Sequence, residues 1–284
     1  MKLLDCQLLH ELPDLPAASS IVWMEGNAWL IGDSSQFLHK IAADGRQSRF
    51  ALLPEADVTQ EPLRKKRKPD FEGLILDAGR RQLLVLPSGS RKNRFVGVMV
   101  DLAQADCPAA SIDLQPLFQR VMRVAGIDED DLNIEGGGAL EPHRWFLLNR
   151  GNGPKRQNLL VILEGEALWS AKPVGCHRLP LPELDGVPAT STDGFVHDGW
   201  LFVLAAAEGT DSTVDDGVVT GSLIARFSLG DFSPQGWCRL PAGIKMEGLA
   251  LCEVQAGRMT LLLCSDQDDP EKPGRIYRAK LALG

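Results

Sequence analysis

Four acidic residues each stand directly before a glycine in closely similar surroundings: Phe71-Glu72-Gly73-Leu74, Ile134-Glu135-Gly136-Gly137, Thr192-Asp193-Gly194-Phe195 and Met246-Glu247-Gly248-Leu249. Carboxylates gathered in a narrow, partly desolvated space repel one another, so each needs a proton, a cationic side chain or a metal ion. A hard cation such as calcium takes oxygen ligands of this kind, with backbone carbonyls and water completing about six to eight contacts. Alternatively, Arg91, Arg94, Arg150 and Arg275 pair with the acids and lock neighbouring segments together. The residues alone leave both readings open.

For these acids to meet, the segments carrying them must be equivalent parts of a ring. They recur at intervals of roughly 54 to 63 residues, a period suited to propeller blades. Around each interval lie four short apolar runs with turns between them. In the first, Ser20 to Trp23, Ala28 to Ile31, Phe37 to Ile41 and Ser48 to Leu53 read as strands, with Glu25-Gly26-Asn27 as a tight hairpin turn. Fourth strands end in Leu-Pro pairs at Leu53-Pro54, Leu179-Pro180 and Leu240-Pro241. The last unit is one strand short, and Leu3 to Leu12, itself followed by Pro13, has the form of the missing strand. The expected fold is therefore all-β, a single domain over residues 1–284. It is a five-bladed β-propeller of four-stranded antiparallel blades, closed by the N-terminal strand, which removes open sheet edges. Gln115 to Gly126 reads as a short amphipathic helix inserted before the third blade.

In this architecture the segments leading into the first strands share a face with the loops joining second to third strands. Those loops are Asp33 to Ser35, Ser88 to Arg94, Asn149 to Asn152, Glu208 to Asp216 and Ser265 to Asp269, all polar. The run Arg64-Lys65-Lys66-Arg67-Lys68 rises from the same face, either as a solvated loop or to draw in an anionic substrate or a phosphate. With Arg91, Lys92, Arg94, Arg150, Lys155 and Arg156 it makes one side of the mouth basic. Asp211, Asp215, Asp216, Asp266, Asp268 and Asp269 make the other acidic.

Composition narrows the function. Hydrophobic residues at 44% and charged residues at 24% are ordinary globular values, and the net charge of −8 argues against nucleic-acid binding. No apolar run is long enough to cross a membrane as a helix, and the N-terminus lacks the apolar core of a signal peptide. The expected compartment is the cytoplasm, and the six cysteines are expected as free thiols. Signatures of serine hydrolases, zinc proteases and nucleotide-binding loops are missing. His143 and His197 fall in turns of the opposite face, and the six tryptophans read as packing between blades.

The repeated Glu-Gly-Leu, at Glu72-Gly73-Leu74 and Glu247-Gly248-Leu249, followed by a Leu-rich second strand, resembles the phytase-like and SdiA-regulated-like propellers. More distantly it resembles the calcium-dependent lactonases of the gluconolactonase type. The resemblance implies calcium at the channel mouth, with Glu72, Glu135, Asp193 and Glu247 as its ligands, and hydrolysis of phosphate or lactone esters. In such an enzyme Glu135 or Glu247 would act as base and Arg91 or Arg150 would hold the substrate anion. Several of those enzymes have six blades where this chain counts five. The other expectation is a monomeric, non-catalytic propeller that binds a small anionic ligand or a protein on its loop-rich face.

Overall fold

The computed structural model describes residues 1–209, 217–267, 269 and 271–283. Strand β1 (Lys2–Leu12) opens the chain and belongs to its last sheet. Blade one is β2 (Ala18–Met24), β3 (Asn27–Gly32), β4 (Phe37–Ala42) and β5 (Gln47–Ala51). Blade two is β6 (Phe71–Asp77), β7 (Gln82–Pro87), β8 (Val96–Asp101) and β9 (Ala109–Asp113). Helix α1 (Gln115–Ala125) follows, then blade three with β10 (Ile134–Glu141), β11 (Arg144–Asn149), β12 (Leu159–Glu164) and β13 (Lys172–Arg178). Blade four has a two-residue extra strand, β14 (Glu183–Leu184), before β15 (Val187–His197), β16 (Trp200–Glu208), β17 (Val219–Ser228) and β18 (Pro234–Arg239). Blade five is β19 (Lys245–Gln255), β20 (Arg258–Asp266) and β21 (Gly274–Ala282), completed by β1. All pairings are antiparallel, and β1 runs against β21 from Lys2 opposite Ala282 to Leu12 opposite Gly274. The five-bladed ring and its closure by the N-terminal strand are as the repeat predicts.

Each second strand is buried along nearly its whole length, as in Ala28 to Gly32, Leu83 to Pro87 and Trp145 to Asn149. That is why these segments read as continuous apolar runs rather than alternating ones: both faces of the blade are covered by neighbours. The core is accordingly divided into inter-blade layers. Trp29, Ile31 and Leu38 of blade one meet Phe71, Leu83 and Val85 of blade two. Ile21 and Leu30 meet Ala250 and Leu262 of blade five across the closing interface. Helix α1 places Leu117, Phe118 and Val121 over blades two and three. Of the tryptophans, Trp29 and Trp145 are buried between blades, whereas Trp237 lies largely exposed on outer strand β18.

The hairpins on the face away from the loops are short. Glu25-Gly26, Asp198-Gly199 and Ala256-Gly257 each place two successive residues at positive φ, the conformation whose twist matches the flanking strands. Outer strands such as β5 and β9 are mostly exposed and carry polar groups that discourage edge pairing.

Deleting residues 2–12 would uncover the full edge of β21 and part of the blade-one interface. The truncated protein is expected to melt well below the full chain and to self-associate in size-exclusion chromatography. An equally stable monomer would contradict the closure.

Candidate active site

The bulge at the head of each inner strand decides which side chains reach the channel. Pairing between inner and second strands skips one residue between Ala18 and Ser20, Phe71 and Gly73, Ile134 and Gly136, Ser191 and Asp193, and Met246 and Gly248. The bulged residues are Ser19, Glu72, Glu135, Thr192 and Glu247, which makes them equivalent in the five blades. Asp193 is therefore not the fourth member of the glutamate ring, although its Asp-Gly sequence suggests it. It stands one residue further along, in the place held by Gly73, Gly136 and Gly248.

There it forms a bridge across the channel. Asp193 Oδ2 accepts hydrogen bonds from the Ser20 hydroxyl at 3.1 Å and the Leu249 N–H at 3.0 Å, and Oδ1 accepts from the Gly194 N–H at 2.8 Å. Ser20 Oγ accepts in turn from the Leu74 N–H at 3.2 Å. Inner strands of blades one, two, four and five are thus tied together. A Cβ on Gly136 would lie 2.8 Å from Asp193 Cα, and one on Gly248 would lie 2.8 Å from Ser20 Cα. The glycine after the acid is a requirement of this close approach.

Above the bridge, Arg150 is almost fully buried and donates from all three nitrogens. Nε reaches Thr190 Oγ1 at 3.0 Å, one terminal nitrogen reaches Glu208 at 2.6 Å, and the other lies 3.3 Å from Glu135 and 3.9 Å from Glu247. Lys245, also buried, places Nζ 3.2 Å from Glu247, 3.7 Å from Glu208 and 3.6 Å from Asp266. Glu135 Oε1 also accepts from the Asn133 amide at 2.7 Å. Glu247 Oε2 is buried with no hydrogen-bond partner among the described residues.

On the blade-two side a second group forms. Lys68 Nζ contacts Asp33 and lies 2.9 Å from Asp70. Arg94 donates to Asp70 at 2.5 Å and to Ser90 at 2.7 Å, and Ser88 also donates to Asp70. Ligand oxygens of Asp33, Asp70 and Glu72 lie within 4.8 Å of one another. Arg94, not Arg91, is the arginine of its loop that enters the site; Arg91 is exposed. Arg275 is elsewhere, 3.4 Å from Glu11 at the outer edge of blade five. From the basic run only Lys68 turns inward, while Arg64 to Arg67 are exposed. Asp211, Asp215, Asp216 and Asp268 lie outside the described residues.

The four expected calcium ligands do not form one set. Glu135 and Glu247 face Arg150 and Lys245, Asp193 lies below them, and only Glu72 belongs to a group compact enough to share an ion. In that group the Lys68 ammonium already supplies positive charge between Asp33 and Asp70, so these residues as placed do not fit calcium.

Sequence reading overlooked Asp70, Asn133, Thr190 and Lys245. All four stand two residues before a bulged position, and each contacts the charged network. That spacing is the signal that finds them, since residues two apart on a strand share a face.

Carboxyls outnumber cations here: Asp33, Asp70, Glu72, Glu135, Glu208, Glu247 and Asp266 face Lys68, Arg94, Arg150 and Lys245. Burial is the main cause of the raised acidities around them. Burial, then repulsion from Glu135, Asp70 and Asp33, holds the Glu72 carboxyl well above its ordinary range. Burial raises Glu135 against the pull of Arg150 and Lys245, and raises Glu247 to about 7 against the same two cations. Asp193 is pushed up to about 8 by burial, opposed by the N–H groups of Leu249 and Gly194. Burial would lower Lys68, but Asp33, Asp70 and Glu72 outweigh it and keep the ammonium charged.

The profile of a family of unknown function, DUF6929, matches residues 14–281. No curated protein matches the chain. Among solved structures it is similar to a luciferin-regenerating enzyme, with TM-score 0.51 and 11% identity over 97% of this chain and 94% of that one. A glutaminyl cyclase of Myxococcus xanthus gives TM-score 0.51 and 11% identity over 98% and 96%. A xylan β-1,4-xylosidase of Bacillus halodurans gives 0.54 and 16%, over 94% of this chain and 54% of that one. At these identities the likeness shows the propeller fold alone.

The raised acidities set a pH dependence. Between their ordinary values and about 7 to 8, Glu247 and Asp193 hold protons in the folded protein that the unfolded chain has released. Unfolding free energy should therefore fall as pH rises from about 5 to 8, by up to about 1.4 kcal/mol per pH unit for each group. Urea midpoints across that range check this, and Glu247→Gln should flatten the slope.

Proposed function

We propose, for a chain that belongs to the DUF6929 family of unknown function, that the mouth of its channel is a hydrolytic acid–base site for small anionic esters, phosphate esters or lactones. The observation that carries this reading is Glu247: Oε1 is held by Lys245 and Arg150, while Oε2 has no hydrogen-bond partner among the described residues. A carboxyl held by one oxygen and unpaired at the other, its acidity raised to about 7 by burial, suits proton transfer at neutral pH. Glu72 stands at the equivalent bulge of blade two, is partly reached by solvent, and has its carboxyl held well above the ordinary range by burial and by Glu135, Asp70 and Asp33. In this reading Glu247 takes a proton from the attacking water and Glu72 returns one to the leaving oxygen, a division of labour set by their different surroundings.

Arg150 is a positioning residue here rather than the anion clamp, because its donors are committed to Thr190, Glu208 and Glu135. Drawing in the anion falls to the exposed rim, where Arg91, Lys92 and Arg64 to Arg67 lie. No step is routed through calcium, since Lys68 occupies the place between Asp33 and Asp70. The likeness of the Glu-Gly-Leu repeats to phytase-like and gluconolactonase-type propellers supports the substrate classes named.

The test is turnover of p-nitrophenyl esters, p-nitrophenyl phosphate and a panel of lactones. Wild-type turnover should rise with pH to a plateau above about 7. Glu247→Gln should lose about a hundredfold or more of kcat while the protein stays folded by circular dichroism. No turnover by the wild type on any of these, or equal turnover by the variant, would instead make the charged mouth a structural clasp on a binding scaffold.

A further inference from the structure

Below the Ser20–Asp193 bridge the channel holds a cavity of about 280 Å³. Ile21, Trp23, Leu74, Phe195, Leu249 and Leu251 line it, and Asp193 closes its inner end. Trp23, Phe195 and Leu251 are partly exposed, so the cavity communicates with solvent on the face opposite the charged mouth. A concavity lined by apolar side chains with a single polar side chain at its end suits a small-molecule ligand.

Asp193 differs from the acids above it. Glu135, Glu208 and Glu247 each face Arg150 or Lys245, whereas among the described residues no lysine or arginine pairs with Asp193. Glu247 and Cys264 are its titratable neighbours, and neither supplies positive charge. Three donors reach its oxygens: two on Oδ2 and one on Oδ1. A carboxylate offers about four acceptor positions, so one remains, on Oδ1. Its acidity, raised to about 8 by burial, is that of a buried carboxyl lacking a counter-charge.

We propose that this lower half of the channel binds a small organic ammonium ion with an apolar body, which donates an N–H to Asp193 while its hydrocarbon part lies against Trp23, Phe195 and Leu251. The ligand brings the cation that the described residues do not provide, and the apolar wall excludes the water that would weaken the pair. This site is separate from the mouth and does not depend on the acid–base reading of Glu247.

Isothermal titration of the full chain with phenethylammonium, phenethyl alcohol and 3-phenylpropionate at about pH 7.5 tests the assignment. The amine should bind, the alcohol at least about tenfold more weakly, and the carboxylate not at all. Asp193→Asn should abolish the preference for the amine but could also disturb the bridge. Ala139→Trp is therefore the second variant: Ala139 lines the cavity and is exposed, so the indole should block the amine and leave the unfolding midpoint in place. Failure of the amine to bind, equal binding of amine and alcohol, or amine binding unchanged in folded Ala139→Trp would overturn the proposal.

Discussion

A guanidinium without access to bulk water must be surrounded by acceptors, and Arg150 takes its acceptors from three blades. Glu135 comes from blade three, Glu208 from blade four and Glu247 from blade five. Removing one partner from such a group leaves uncompensated buried charge, at a cost of about 3–5 kcal/mol. The arrangement also constrains everything around it. The inner strands must be bulged for the glutamates to turn inward, and the second strands must end where Asn149, Arg150 and Glu208 face the axis. Lys245 must cover the carboxylates that Arg150 does not saturate. Buried apolar layers hold each blade to the next, but the charged group is where the blades converge on the channel.

The channel consequently has two tiers with different chemistry. The upper tier is polar, crowded with carboxyls and short of cations, so proton sharing is built into it. The lower tier is apolar and meets a single carboxyl. Ser20 and Asp193 separate the two with one side-chain hydrogen bond, and Gly136 and Gly248 make room for it. The charged mouth and the apolar cavity back onto one another across this bond.

Blade count, ring closure by β1 and helix α1 were legible because they follow from apolar patterning and the Leu-Pro strand ends, which survive any local irregularity. The described parts of the mouth loops, such as Asp33, Arg94, Arg150, Glu208 and Asp266, were legible for the same reason. The place of Asp193 was not. A bulge takes up one residue without altering the apolar pattern, so Thr192-Asp193-Gly194 looks like Ile134-Glu135-Gly136 while sitting one step out of phase. Nor does sequence say which of Arg91, Lys92 and Arg94 turns inward, since that depends on the backbone of one loop. Lys68 was hidden among neighbouring cations, and its burial follows from Asp33 and Asp70 lying beneath it. Lys245 carried a readable signal, a cation two residues before a bulged acid on a buried strand.

At the crowded mouth, burial outweighs the pull of Lys245 and Arg150 on the Glu247 carboxyl and poises it near neutrality. A pH titration of the side-chain carboxyl carbons by ¹³C NMR measures this directly. The account predicts a midpoint for Glu247 at about 7 and a Glu72 carboxyl still protonated well above the ordinary carboxylic range. Midpoints for both near about 4.3, the value of a solvated glutamate, would contradict it.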